Sequence, residues 1–295
     1  MEDKHLRAVD ATGQIRLGLV YGKEVVELAR HYHNTTPTST AALGRTLMAG
    51  LLMMADLKSE KDALSLHIDG DGPLGKILVT GKNDGAIKGY VAHPEADAPL
   101  RDDGKLNVGA VVGKGNLTVV MDLGMREPYV GQVELVTGEI GDDIANYYAR
   151  SQQVPTAVGL GVLVDRDYSV LHAGGFLAQT LPDASEESVK ALEERLSKIT
   201  SVTDLFASHE KVEDIVEEIL GEGAQILHES PVSYRCDCSR EKVTESLLSL
   251  GPVQLEELLK EDKGAEVTCH FCNRAYLYGE KELGELVEKA RVINS

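Results

Sequence analysis

The 295 residues are 42% hydrophobic and 26% charged, enough apolar material for cores in more than one domain, which excludes disorder throughout. Lysine and arginine number 30 against 48 aspartates and glutamates, and the resulting net charge of −18 repels phosphate backbones and anionic lipid headgroups. Both a general nucleic-acid binder and a membrane-surface protein are disfavoured, and with no Trp and three Phe any stacking platform would fall to the ten Tyr.

The N-terminal stretch MEDKHLRAVDATGQ holds no apolar run fit for a secretory leader, and nowhere do ~18 apolar residues follow one another, so the sequence reads as soluble and cytoplasmic. RAVDATGQIRLGLV carries a Thr12-Gly13 turn between two period-two runs and predicts a hairpin. TPTSTAALGRTLMAGLLMMADL has Thr and Ser caps followed by Ala, Leu and Met at three-to-four spacing, the strongest helix signal in the chain. DALSLHI, GKILVTG, GAIKGYVA, NLTVVMDL and YVGQVELVTG read as strands punctuated by Gly and Asp, and GEIGDDIANYYARSQ as a second helix. TAVGLGVLVD and YSVLHAGGFLAQTL form a closing hairpin around Asp165-Arg166-Asp167. Strands follow strands without regular helical crossovers, which predicts an α+β fold with much antiparallel pairing. The expected organisation is a mixed sheet-and-helix core over residues 1–180, a helical linker over 181–230 and a small metal-binding domain over 231–295.

One feature of the core resembles a catalytic signature. Gly70, Gly75 and Lys76 match a phosphate-binding loop up to the lysine, but Ile77 stands where the Mg²⁺-binding hydroxyl belongs, and ILVT continues as strand rather than helix. A tight turn between strands explains these glycines, as a strand irregularity explains Gly174-Gly175. His5, His31, His33, His67, His93 and His172 are scattered, without the spacing of a helix-borne metalloprotease. No residue set for enzyme catalysis emerges.

Residues 183–230 carry thirteen acidic against four basic residues and two apolar stripes at helical spacing. Val189, Leu192, Leu196 and Ile199 make one; Val212, Ile215, Val216, Ile219 and Leu220 make the other. Helices with narrow apolar stripes and like charges on the opposite face depend on a neighbour for stability, so this segment should be loosely held. Beyond Pro231 a strand runs into the first cysteines, helices are expected over Arg240–Leu250 and Val253–Glu261, and GAEVT precedes a closing helix from about Glu280 to Arg291.

All four cysteines lie in this last segment, as Cys236-Asp-Cys238 and Cys269-His-Phe-Cys272, with thirty residues between the pairs. A reducing compartment favours metal or redox chemistry over structural crosslinks. Four thiolates suit one tetrahedral Zn²⁺, and His270, lying between ligands, is expected to face solvent. A structural zinc contributes an apparent ~10–16 kcal/mol to folding, whereas a domain of this size nets about 3–5 kcal/mol from its core. The metal-free unit should therefore not stay folded. Disulfides within the two pairs would contribute only roughly 3–4 kcal/mol together, and a cross-pair such as Cys236 with Cys269 roughly 4 kcal/mol; spacing alone leaves the pairing open. The CxC spacing, if extended, aims both sulfurs to one side, and a disulfide over so short a span tends to be strained and reducible, which predicts reversible switching. Zinc keeps the sulfurs as thiolates, the form oxidants attack. Arg235, Arg240, Lys242 and Arg274 lie near the ligands in sequence and could offset the site's formal charge.

RCDCSREKV and GAEVTCHFC resemble the zinc-binding end of the 33-kDa heat-shock protein family, the redox-regulated holdase chaperones. TAALGRTLMAGLLM, GDGPLGKILV, LGVLV and GGFLAQTLP resemble its core segments in the same order, so the resemblance covers essentially the whole chain. It implies an ATP-independent chaperone that is inactive when reduced and zinc-bound, with one Zn²⁺ per chain on Cys236, Cys238, Cys269 and Cys272. It also implies that on oxidation Cys236 joins Cys238 and Cys269 joins Cys272, with loss of the zinc and unfolding of a metastable linker. The exposed surface would hold unfolding client proteins, with a homodimer as the active form. A second reading from another class is a zinc-ribbon adaptor whose metal is purely structural and whose acidic core docks a protein or RNA; it predicts indifference to oxidants.

Overall fold

Period-two alternation builds the larger of two units, Met1–Arg235; the structure is a computed structural model and describes residues 1–293. In chain order this unit comprises β1 (Lys4–Val9), β2 (Ile15–Tyr21), α1 (Lys23–His33), α2 (Pro37–Met54), β3 (Ala63–Gly70), β4 (Lys76–Lys82), β5 (Ala86–Val91), α3 (Val108–Val112), β6 (Gly115–Asp122) and β7 (Tyr129–Glu134). Then follow α4 (Gly141–Tyr147) with a π-helical turn Tyr148–Gln152, β8 (Thr156–Val164), β9 (Val170–Thr180), α5 (Glu186–Leu196), α6 (Val202–Ala207), α7 (Val212–Leu220), β10 (Gln225–Pro231) and β11 (Ser233–Tyr234). One sheet has the order β10-β1-β2-β9-β8, the other β11-β5-β4-β3-β6-β7. Every pairing is antiparallel except β11 with β5, so the α+β expectation holds. Both expected hairpins form, β1–β2 with Gly13 at φ +70° in the turn, and β8–β9.

The strongest helix signal becomes α2, in which every residue but Pro37 and Arg45 is buried. A helix that is apolar on all faces must lie inside, and α2 packs against strands of both sheets. Thr36 caps it, accepting from the Ser39 amide, and Pro37 occupies the first turn, where a missing N–H costs nothing. Around α2 lies the first apolar cluster, with Leu47, Met48, Leu66, Val79 and Val119. The opposite face of the first sheet supplies Leu6, Leu17, Leu19, Tyr21 and Phe176 to a second cluster, closed by Leu192, Phe206, Val212, Ile215, Val216 and Ile219 from the linker helices. Alternate residues of β2 and β9 thus face two different cores.

The stretch Gly70–Lys76 is the turn between β3 and β4, not a phosphate cradle. A Cβ on Gly70 would stand 1.9 Å from the Val112 carbonyl oxygen and one on Gly72 2.3 Å from that of Val111, so backbone fills the space a phosphate would need. Lys76 is already in the strand and pairs with Asp69 at 2.9 Å.

The second unit begins at Cys236. It contains α8 (Arg240–Ser249), α9 (Pro252–Glu261), the antiparallel pair β12 (Gly264–Thr268) and β13 (Ala275–Gly279), and α10 (Glu280–Ile293). Its core is small: Val243, Leu247, Leu255, Tyr276, Tyr278, Leu283, Leu286, Val287 and Ala290. No helix among the described residues is long and apolar enough to cross a membrane.

Candidate metal centre

Two short segments present the cysteines. Cys236 and Cys238 lie in the irregular stretch before α8, whose Ser239 side chain accepts from the Lys242 amide and so fixes where the helix starts. The extended-strand placement expected for the CxC pair is therefore not what the fold uses; the stretch between β11 and the α8 cap is irregular. Cys269 and Cys272 form the turn joining β12 to β13: the Cys269 amide donates to the Arg274 carbonyl at 3.0 Å, and the Asn273 amide to the Cys269 carbonyl at 2.8 Å. Asn273 takes the left-handed conformation, φ 53°, that lets the chain reverse behind Cys272.

The fold brings all four sulfurs within 4.8 Å of one another, and this is the one such donor cluster among the described residues. All are free, half-buried thiols. Sγ–Sγ separations across the two segments are 3.6 Å for Cys236 with Cys269 and 3.4 Å for Cys238 with Cys272. A tetrahedron of ~2.3 Å metal–sulfur bonds has edges of roughly 3.8 Å, so the donor set fits a tetrahedral soft cation with small adjustment. His270 is exposed, outside this cluster.

The electrostatics are uneven. Burial pushes the Cys236 and Cys272 thiols up. Burial also opposes ionisation of Cys238, yet donation from the Tyr276 hydroxyl, 3.1 Å away, and from the neighbouring thiols brings it down to about 7. Of the four cations near the ligands in sequence, two are turned to other work. Arg235 pairs with Asp84, while Arg240 binds the Leu277 carbonyl at 2.8 Å and Glu282 at 2.7 Å, with its guanidinium 4.4 Å from the Tyr278 ring centre. Lys242, held by Asp237, acts on Cys236 and Cys238, and Arg274 acts on Cys238 and Cys272. Sequence reasoning passed over Tyr276. The signal was the alternation in AYLYG, which sends both tyrosines to the buried face of β13.

The helices α5, α6 and α7 close the second apolar cluster. The stripe on α7 is buried throughout, whereas on the first stripe Leu192 is buried and Leu196 and Ile199 only partly so. Between them lies α6, unforeseen in the sequence, whose Phe206 is fully buried against Tyr21, ring centres 5.4 Å apart, and over Gly174. Lys4 on β1 ties α7 down from the sheet, donating at 2.7 Å to Glu213 and at 2.7 Å to Glu229.

The chain is similar in sequence and fold to known proteins. The family described as Hsp33 protein matches residues 3–279. A protein named 33 kDa chaperonin from Clostridium perfringens (strain 13 / Type A) is 46% identical over 292 residues, covering 98% of this chain and 92% of that one. The 33 kDa chaperonin of Caldanaerobacter subterraneus subsp. tengcongensis is 47% identical over 270 residues, 91% of this chain and 92% of its own. Among solved structures, the 33 kDa chaperonin (heat shock protein 33 homolog) of Thermotoga maritima superposes with a TM-score of 0.91 at 35% identity, over 100% of both chains.

Proposed function

The chain belongs to the Hsp33 family and is a chaperone, and from this we propose that it is a redox-regulated, ATP-independent holdase of the cytoplasm rather than an enzyme. Cys236, Cys238, Cys269 and Cys272 hold one Zn²⁺ in the reduced, inactive state. The observation that carries this reading is the convergence of four free thiols from two segments onto one point in a unit with a small core. Bound zinc would supply the crosslink and charge neutralisation that so small an apolar interior lacks.

Oxidation by a peroxide runs in two steps. One thiolate attacks peroxide, forming an S–O bond as the O–O bond breaks and hydroxide leaves; its partner then attacks that sulfur, forming the S–S bond and expelling a second hydroxide. Two thiolates and one peroxide thus give one disulfide and two hydroxides. Following the family pattern, Cys236 pairs with Cys238 and Cys269 with Cys272, and the sulfurs then no longer hold the cation. The chain works as three parts, a core over 1–180, a metastable linker over 181–230 and the switch over 231–295. Release of the linker would uncover Leu6, Leu17, Leu19, Tyr21 and Phe176, an apolar sheet face suited to unfolding proteins. The active form is a homodimer; the −18 charge speaks against nucleic-acid or membrane partners.

The test treats the reduced, zinc-loaded chain with peroxide and follows zinc release, far-UV dichroism and suppression of a client's aggregation together. Zinc loss, falling helicity and gained holdase activity are expected. Unchanged helicity without gained activity would reject the switch and favour a redox-indifferent zinc-ribbon adaptor.

A further inference from the structure

Tyr276 and Tyr278 stand two residues apart on the same buried face of β13, yet their hydroxyls do different things. That of Tyr278 meets the Thr244 hydroxyl at 2.9 Å and donates to the Arg240 carbonyl at 3.2 Å, anchoring α8. That of Tyr276 donates to Cys238 Sγ at 3.1 Å. Of the two hydroxyls, that of Tyr276 is the one that reaches a sulfur.

We propose that Tyr276 is a positioning residue that sets how readily the metal centre yields to oxidants, by tempering the Cys238 sulfur through its hydroxyl hydrogen bond. A donor aimed at a thiolate withdraws electron density from the lone pair that would attack an electrophile. The same bond spreads the negative charge that four thiolates place on the site and fixes the direction from which Cys238 meets a cation, as donors behind metal ligands generally do. Removing the hydroxyl leaves the ring, which fills the small core, in place. The Cys238 thiolate then attacks a peroxide oxygen more readily; the S–O bond forms as the O–O bond breaks and hydroxide departs.

This inference rests on the reading that the four cysteines bind zinc, and the experiment separates the two. Full-length parent, Tyr276→Phe and Tyr278→Phe are first assayed for zinc content, then exposed to limiting hydrogen peroxide while released zinc is captured by a chromophoric chelator. In parallel, each is loaded with ¹¹³Cd, and the cadmium resonance and its couplings to the Cys238 β-protons are recorded. Tyr276→Phe is expected to release zinc roughly threefold to tenfold faster, the effect of one lost charge-assisted hydrogen bond, and to shift the cadmium resonance. Tyr278→Phe should match the parent in both. Release in Tyr276→Phe that is unchanged or slower, or an equal change in Tyr278→Phe, would overturn the proposal while leaving the zinc site standing. A parent that takes up no zinc would remove both.

Discussion

His5 lies on β1 with its ring buried and its Nε2 without a hydrogen-bond partner among the described residues. Burial, then the charges of Arg7 and His228, lower its pKa from 6.5 to about 4. Between those values the unfolded chain binds a proton that the folded chain refuses. His5 thus costs nothing above pH 6.5 and penalises the fold as pH falls toward 4. In His5→Leu that penalty should vanish: between pH 7 and pH 4.5 the parent should lose on the order of 2–3 kcal/mol more than the variant in urea unfolding. Parallel pH profiles would show that the imidazole is not the group responsible. The four cysteines were legible at this scale because CxC and CxxC are local patterns. The Tyr276 contact was not, because a strand's alternation says which face a side chain takes and nothing about the atom it meets there.

At the scale of elements, helices α5 to α7 are held by shape as much as by apolar stripes. A Cβ added to Gly174 would stand 2.5 Å from the Phe206 ring, so this glycine is the notch that seats α6. Gly174→Ala should weaken the docking by about 1–3 kcal/mol, and Phe206→Ala by about 3–5 kcal/mol. Hydrogen exchange over residues 202–220 should accelerate in both while α2 stays protected; unchanged exchange there would mean that α6 does not secure the linker. The stripes on α5 and α7 were readable because each spans at least two helical turns. The helix α6 was not, since VTDLFA is too short to show a period. Similarly, α1 escaped because Gly22 provides no side-chain cap to mark its start. The helix over GEIGDDIANYYARSQ was found, but its last turn widens to a π-helix before Gln153 turns left-handed at φ 56°, which residue types alone do not signal.

For the whole molecule, the two units should differ in what they need. Cys269→Ser is expected to weaken zinc binding by more than the ~100-fold that losing an outer partner can cost, and to leave the C-terminal unit and linker protease-sensitive without oxidant. A variant as resistant as the parent would contradict the ligand assignment. A chain ending at Arg235 keeps both large apolar clusters, so it should retain cooperative thermal unfolding and protection of α2; a truncated chain that is unfolded would contradict that division. The residues alone determined the class of fold, the strands from β1 to β9 and the pairing of the cysteines along the chain, because alternation, helical period and cysteine spacing are properties of neighbours; they did not show β10, which lies almost wholly in a stretch expected to be a helical linker and instead pairs with β1. Only the tertiary structure decided that β2 and β9 serve two cores, that a glycine in β9 receives Phe206, and that one tyrosine of two reaches a sulfur. Those depend on strand order and register, which bring together side chains from distant parts of the chain and are settled by packing across the whole domain.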